Sequence, residues 1–343
     1  DDADLGEFHS AAGRGRGGKE NAEAKPVIDC LARPSSPQSN EQQTAPAAVP
    51  STVDVATVHS IPVPESDDKT CVGMCRLHNE IAAFVNATRP TAAETETVHR
   101  LLEEVGRAGR RLWHTARVAL FGSQAHGLAL PGSDLDIVVL GVTQNLRSAA
   151  SGFTKHQQEW IGSLLQRLMK ELKVSMGVRN AKVIKAKVPI IKCELRMGAS
   201  EEYVAVDISM GVANGMEAAE FIAREIVLVP PLRPLVLVVK AFLRQKGLNE
   251  VFTGGLSSYC IFLLVLAHLQ AERLVPVHGG DPPSRYPPLG LLLWTFFRRF
   301  GNQFNYNSQA VSVQQGGVVQ KLKRWRSKAW MLAVEDPQAT SAH

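Results

Sequence analysis

The sequence of 343 residues is poor in cysteine, with only Cys30, Cys71, Cys75, Cys193 and Cys260. An odd number without framework spacing excludes a disulfide-built scaffold and fits a reducing compartment, cytosol or nucleus. Cys71 and Cys75 could supply half a zinc site, but no Cys/His pair nearby completes it; two ordinary thiols at a domain edge are expected. No N-terminal stretch has the basic-then-apolar pattern of a secretory signal. No apolar run is long enough to span a bilayer: 256–269 is interrupted by Ser257, Ser258, Tyr259 and His268 and reads as a buried helix. Large apolar residues are scarce over 1–70, where Ala, Ser, Pro, Gln and charge dominate. Such a stretch cannot bury enough surface to offset its ordering entropy, so 1–71 is expected to be a disordered tail. There is no internal repeat.

What is present suits a globular protein of two domains: 45% hydrophobic and 21% charged residues over this length. A net charge of +5 leans weakly toward a polyanionic partner. Apolar residues recur at helical spacing in Leu77, Ile81, Phe84 and Val85, and again in Val98, Leu101, Leu102 and Val105. Strands are expected at 117–121 and 134–140, with a turn at Gly122 and a short helical segment between them. A helical stripe follows at 157–173, then strands at 181–195 and 203–209. From Pro231 onward the pattern is helical: 232–246, 257–270 and 289–300, with 279–288 as a loop. The expected class is α+β, a small sheet followed by a mostly helical part.

The chemistry concentrates in 118–140, VALFGSQAHGLALPGSDLDIVVL. Gly122, lacking a side chain, lets backbone approach a ligand closely. Ser123 adds a hydroxyl at a helix start, where free N–H groups favour phosphate. Asp134 and Asp136 stand at i and i+2, so period two puts both carboxylates on one face, while Leu135 and Ile137 point into the core. Adjacent carboxylates repel, and one pKa should rise unless a counter-charge is supplied. Two Mg²⁺ or Mn²⁺ ions would resolve that conflict. Asp207, in the apolar stretch YVAVDIS, is the candidate third ligand; a hydrogen-bonded structural Asp competes with that reading. Gly-Ser alone is uninformative and Asp-x-Asp alone is weak. The ordered combination of strand, Gly-Ser, Ser-Asp-x-Asp, strand and distant Asp is specific.

That combination resembles the signature of the DNA polymerase β-like nucleotidyltransferases. Residues 231–269, FFRRFGNQFNY (296–306) and VEDPQ (334–338) narrow the resemblance to the noncanonical poly(A) polymerases of TRAMP-type nuclear surveillance complexes. The similarity spans roughly 77–338. It implies a nucleotidyltransferase domain over 72–215 and a helical poly(A)-polymerase-associated domain over 216–343, with the 77–95 helix assignable to either. It also implies ATP as substrate and addition of adenosine to RNA 3′ ends in the nucleus or nucleolus. A zinc-knuckle RNA-binding protein and an RNA helicase would be partners, and no membrane is involved.

By the same resemblance, Ser123 binds the triphosphate, Asp134 and Asp136 hold both metals, and Asp207 completes the site that activates the RNA 3′-OH. Asn214, in a turn with Gly215, contacts the sugar. Lys240 and Arg244, one helical turn apart, reach the triphosphate from one face. Ser258 meets phosphate, Tyr259 stacks on the base, and Glu335 and Asp336 belong to a base-recognition segment. Each has a plain rival: solvated helix charges for Lys240 and Arg244, core for Tyr259, turn geometry for Asn214. No RRM, KH or C₂H₂ signature is present. Arg14–Gly18, 182–192 and Lys321–Lys328 could track phosphates or be ordinary solvated surface.

Two other functions stay open, a terminal uridylyltransferase and an inactive RNA-binding scaffold. In uridine-adding relatives a His after the Glu-Asp-Pro triplet crowds out a purine. Here His343 follows Glu335-Asp336-Pro337 one residue further on than that spacing.

Overall fold

A computed structural model describes residues 69–142, 153–186, 188–197, 201–211, 214–275, 285–322 and 330–338. The expected tail over 1–68, Arg14–Gly18, His343 and residues 323–328 of the basic segment lie outside them.

Two hydrophobic cores organise these residues. The first lies under a five-stranded sheet of β1 (Arg117–Phe121), β2 (Leu135–Leu140), β3 (Val178–Ile184), β4 (Ile190–Arg196) and β5 (Tyr203–Met210), in the order β1-β2-β5-β4-β3. Only β2 and β5 run parallel; the other neighbours are antiparallel. Helices α2 (Ala92–Leu112) and α4 (Lys155–Ser175) cover one face, packing Leu101, Val105, Ile161, Leu165 and Leu168 on Leu135, Ile137, Ile191, Cys193, Val206 and Ile208. Both helices start with a capping box, Thr91 with Glu94 and Thr154 with Gln157, which satisfies amide groups the first turn leaves open. Alternation then sends Asp136, Lys192 and Asp207 to the opposite face.

The second core is helical. It comprises α5 (Asn214–Leu228), α6 (Leu232–Gln245), α7 (Ser258–Ala271) and α8 (Leu289–Arg298), with a π turn over Arg299–Gln303. The ten residues Cys260–Leu269 of α7 are all buried, as its apolar run implied. Helix α1 (Lys69–Ala87) joins this core through Ile81 and Val85. It docks on α8 so closely that a Cβ at Gly290 would collide with Met74 O and Leu77, while His78 Nδ1 accepts the Leu289 amide at 3.1 Å. Among the described residues no single helix is long and apolar enough to cross a membrane; α5 and α6 form a bent pair that turns through 116°.

The structure departs from the sequence reading in four places. Helix α1 begins at Lys69, so the last three residues of the expected 1–71 tail are helical. The strand expected over 181–195 is a hairpin, β3 and β4, with Pro189 just before β4, where a residue without an N–H does not interrupt the ladder. Asn214 opens α5 instead of a turn with Gly215. A second small sheet, β6 (Gln309–Ser312) and β7 (Gly317–Gln320), lies within the part read as helical, and Val334 bridges Val311 in parallel. Strands of four residues carry too little periodicity to register; the Gly316-Gly317 turn, with φ of 85° and 119°, was their legible signal.

Candidate active site

One row of residues crosses the whole sheet. Strand pairing aligns Phe121 with Asp136, Asp136 with Asp207, Asp207 with Lys192, and Lys192 with Lys182. Two carboxylates therefore stand side by side on adjacent parallel strands, followed by two ammonium groups. Asp134 enters β2 one residue before the strand, two positions from Asp136. Its approach is fixed by Ser133, whose hydroxyl accepts the Leu130 amide at 3.2 Å while its own amide donates to Leu130 O at 3.0 Å.

Gly122 is required twice over. Its φ is +63°, and a Cβ there would collide with Asp136 Oδ2. Ser123 follows in the one-turn α3 (Gly122–Ala125), and its carbonyl accepts the Leu128 amide at 2.9 Å, closing the loop.

The electrostatics follow from this crowding. Burial, then the charges of Asp207 and Asp134, push Asp136 up to about 6, against the pull of Lys192 and Lys240. Burial also raises Asp207. Lys192 Nζ lies 2.8 Å from Asp134 Oδ2 and 3.5 Å from Asp207 Oδ1. Its own pKa is raised, chiefly by the bond to Asp134. Asp207 Oδ1 is buried without a hydrogen-bond donor, since 3.5 Å is an ion-pair distance and no good hydrogen bond.

Among the described residues no three His, Cys, Asp or Glu groups enclose an ion unaided. A hard divalent cation does not need such a cage, because Mg²⁺ is usually held by one or two carboxylates plus substrate phosphates. All-oxygen donors and the undonated Asp207 Oδ1 therefore fit one.

Helix α6 supplies the other wall. Arg233, Lys240 and Arg244 form one stripe, and each donates to a carbonyl of the segment leading to Asp134. Arg233 Nε reaches Gly127 O at 3.0 Å, Lys240 Nζ reaches Leu128 O, and Arg244 Nη1 reaches Pro131 O at 2.8 Å. Lys240 is 7% exposed, so it is no solvated helix charge, and burial pulls its pKa down to about 8 against the field of Asp136.

A further group gathers at α7. Ser258 is the first residue of that helix; the capping hydroxyl is that of Ser257, which accepts the Cys260 amide at 3.1 Å. Tyr259 donates its hydroxyl to Asp336 Oδ1 at 3.0 Å, and the Gln338 amide donates to the same oxygen at 3.0 Å. Glu335 is bonded elsewhere, accepting from Gln315 Nε2 at 3.3 Å. The side chain of Asn214 lies outside the described residues.

The structure thus brings Asp134, Asp136, Asp207 and Gly122 into contact range, with Ser123 next in the chain and Lys240 within electrostatic reach. Tyr259 and Asp336 form a separate pair. Sequence reasoning did not single out Lys192 or the buried Arg233. The alternating lysines of 182–192 were visible, but their register against Asp207 was not.

Comparison with known proteins agrees with this geometry. Residues 77–224 match the family described as poly(A) RNA polymerase, mitochondrial-like, central palm domain, and residues 288–342 match Cid1 family poly A polymerase. The chain is 35% identical to poly(A) RNA polymerase CID14 of Cryptococcus neoformans over 280 residues, 78% of this chain and 34% of that protein. It therefore spans about a third of that relative. It is 33% identical to the inactive non-canonical poly(A) RNA polymerase protein Trf4-2 of Drosophila melanogaster, covering 77% of this chain and 62% of that one. The solved polymerase core of TRAMP, an RNA surveillance complex, superposes with a TM-score of 0.62 at 32% identity, covering 77% of this chain and 78% of that one. On these two matched segments and this superposition, the chain belongs to the noncanonical poly(A) RNA polymerase family.

Proposed function

We propose that this chain is a template-independent RNA 3′-terminal adenylyltransferase that uses ATP with Mg²⁺ or Mn²⁺. The observation that carries the reading is the alignment of Asp136 with Asp207 across β2 and β5, with Asp134 and Gly122 against them. The RNA 3′-oxygen attacks the α-phosphorus and pyrophosphate leaves. Asp134, Asp136 and Asp207 would hold divalent ions, which supply Lewis-acid stabilisation of the 3′-oxygenate and of charge on the phosphates. Asp207 would serve in activating the attacking 3′-hydroxyl, consistent with its place opposite Asp136. Lys240 and Arg244 exchange their carbonyl partners for triphosphate oxygens, and the Ser123 hydroxyl orients the same group. The Tyr259 ring stacks on the base, held by its hydroxyl bond to Asp336.

We further infer work in RNA surveillance in the nucleus, within a TRAMP-like complex in which a zinc-knuckle RNA-binding protein would supply RNA affinity and an RNA helicase would be a second partner; the likeness to the TRAMP polymerase core supports the complex. Incubating the protein with oligo(A) RNA, Mg²⁺ or Mn²⁺ and each nucleoside triphosphate separately tests the reading. Adenosine addition is expected. A UTP preference would make it a uridylyltransferase. No incorporation from a folded protein would make it an inactive scaffold.

A further inference from the structure

Among the described residues of the sheet, Lys192 is the cation that lies within ion-pair distance of the carboxylates. Pairing across β4 and β5 sets it opposite Asp207, and its ammonium extends past that residue to Asp134. It thereby spans two carboxylates that come from different strands. An ordinary surface ion pair would be the plain reading, since both Lys192 and Asp134 are nearly half exposed, at 47% and 44%. Two features argue for more. The lysine bridges two carboxylates, not one, and these are two of the three that would hold divalent ions. Its neighbour along the row is Lys182, a like charge directly opposite, which disfavours Lys192 at that place unless the carboxylates hold it.

We infer that Lys192 is a built-in counter-cation of the acidic trio, a positioning residue that draws Asp134 toward Asp207 and is displaced when divalent cations load. This rests on reading the trio as the metal site. Because the lysine and Asp134 are solvent-accessible, the released ammonium meets water, and the entering cation replaces it as counter-charge to the buried Asp207 Oδ1. The ammonium and a divalent ion compete for the same oxygens. Lys192 therefore weakens metal binding while keeping the carboxylates together, and the released amine moves toward solvent beside Lys182.

Two measurements on the full chain test this, neither needing catalysis. The first is thermal unfolding during Mn²⁺ titration of wild type, Lys192→Met and Lys192→Arg. Removing a positive charge at this distance should lower the Mn²⁺ concentration at half-maximal stabilisation by about fivefold in K192M. K192R, which keeps the charge, should match or exceed the wild-type midpoint. An unchanged midpoint in K192M, or a fall in K192R equal to that in K192M, overturns the proposal. The second uses wild type alone, so it stands even if K192M does not fold. Acylation of the Lys192 amine, read by mass spectrometry, should speed up at saturating Mn²⁺ while that of Lys173, on α4, does not; equal or slower labelling of Lys192 overturns the proposal. Mn²⁺ that fails to stabilise wild type at all would overturn the metal-site reading itself, a result distinct from either failure above.

Discussion

Tyr259, in the first turn of α7, donates its hydroxyl to Asp336 Oδ1 at 3.0 Å across 77 residues of sequence. A ring that stacks on any base cannot by itself choose one. Tethering that ring to the 334–338 segment gives it a fixed plane and puts a polar group at its edge.

The first prediction concerns this tether. Tyr259→Phe keeps the ring and loses the hydroxyl, so KM for ATP should rise a few-fold with kcat little changed, consistent with the roughly 1 kcal/mol net worth of such a bond. Asp336→Ala should raise KM for ATP at least as much. Steady-state kinetics with ATP and UTP on the same RNA check this, and ATP should be preferred in wild type. A fall in kcat at constant KM in Y259F would contradict the positioning role.

The carboxylates at the β2 entry should differ in stability although both are essential to activity. Asp134→Asn and Asp136→Asn should each abolish nucleotide addition. Asp136 is half-buried among like charges, so D136N should raise stability without divalent ions by about 1–2 kcal/mol. Asp134 is bonded to Lys192, so D134N should leave stability unchanged or slightly lower it. Denaturation curves in EDTA, with circular dichroism to confirm folding, decide the ordering; equal shifts would show that the pairing with Lys192 does not distinguish the two.

Asp207→Asn should separate binding from chemistry. Its carboxylate sits opposite Asp136; if it activates the 3′-OH as proposed, ATP affinity should persist while the rate falls by roughly a hundredfold or more. Equilibrium ATP binding and single-turnover extension measure the two separately. A mutant that mainly loses affinity and keeps its maximal rate would move Asp207 to the triphosphate side.

Lys240 should make nucleotide affinity pH-dependent. Burial lowers its pKa to about 8, so the free enzyme begins to lose this cation as pH rises through that value. Binding a triphosphate favours the charged form, so ATP binding takes up a proton above pH 8. The apparent Kd should therefore rise there, by as much as about tenfold per pH unit. Lys240→Arg keeps its charge and should flatten the profile. ATP binding followed from pH 7 to 9.5 in both proteins is the measurement; parallel profiles would show that Lys240 does not touch the nucleotide.

Much of this site was legible in the sequence because its logic is local. Period two in 134–140 put Asp136 on one face and Leu135 and Ile137 on the other, and the two apolar residues are each 1% exposed. In the sequence Gly122 reads as letting backbone approach a ligand; what the structure shows to need its missing side chain is a protein atom, Asp136 Oδ2. The one-turn spacing of Lys240 and Arg244 on an apolar helix, and the apolar run within α7, were likewise readable from the sequence.

The tertiary structure decided everything that depends on which distant strand meets which. Alternation fixes the face a side chain points to but not the register between strands far apart in the chain. Only the pairing of β2, β5 and β4 aligns Asp136 with Asp207 and brings Lys192 beside them. Lysines in a half-buried strand look alike in sequence, and one of them became part of the site because its partner strand carries an aspartate at the facing position. Helix α1 illustrates the same limit: its stripe of Leu77, Ile81, Phe84 and Val85 demanded a partner, but only the close approach of Gly290 made that partner α8.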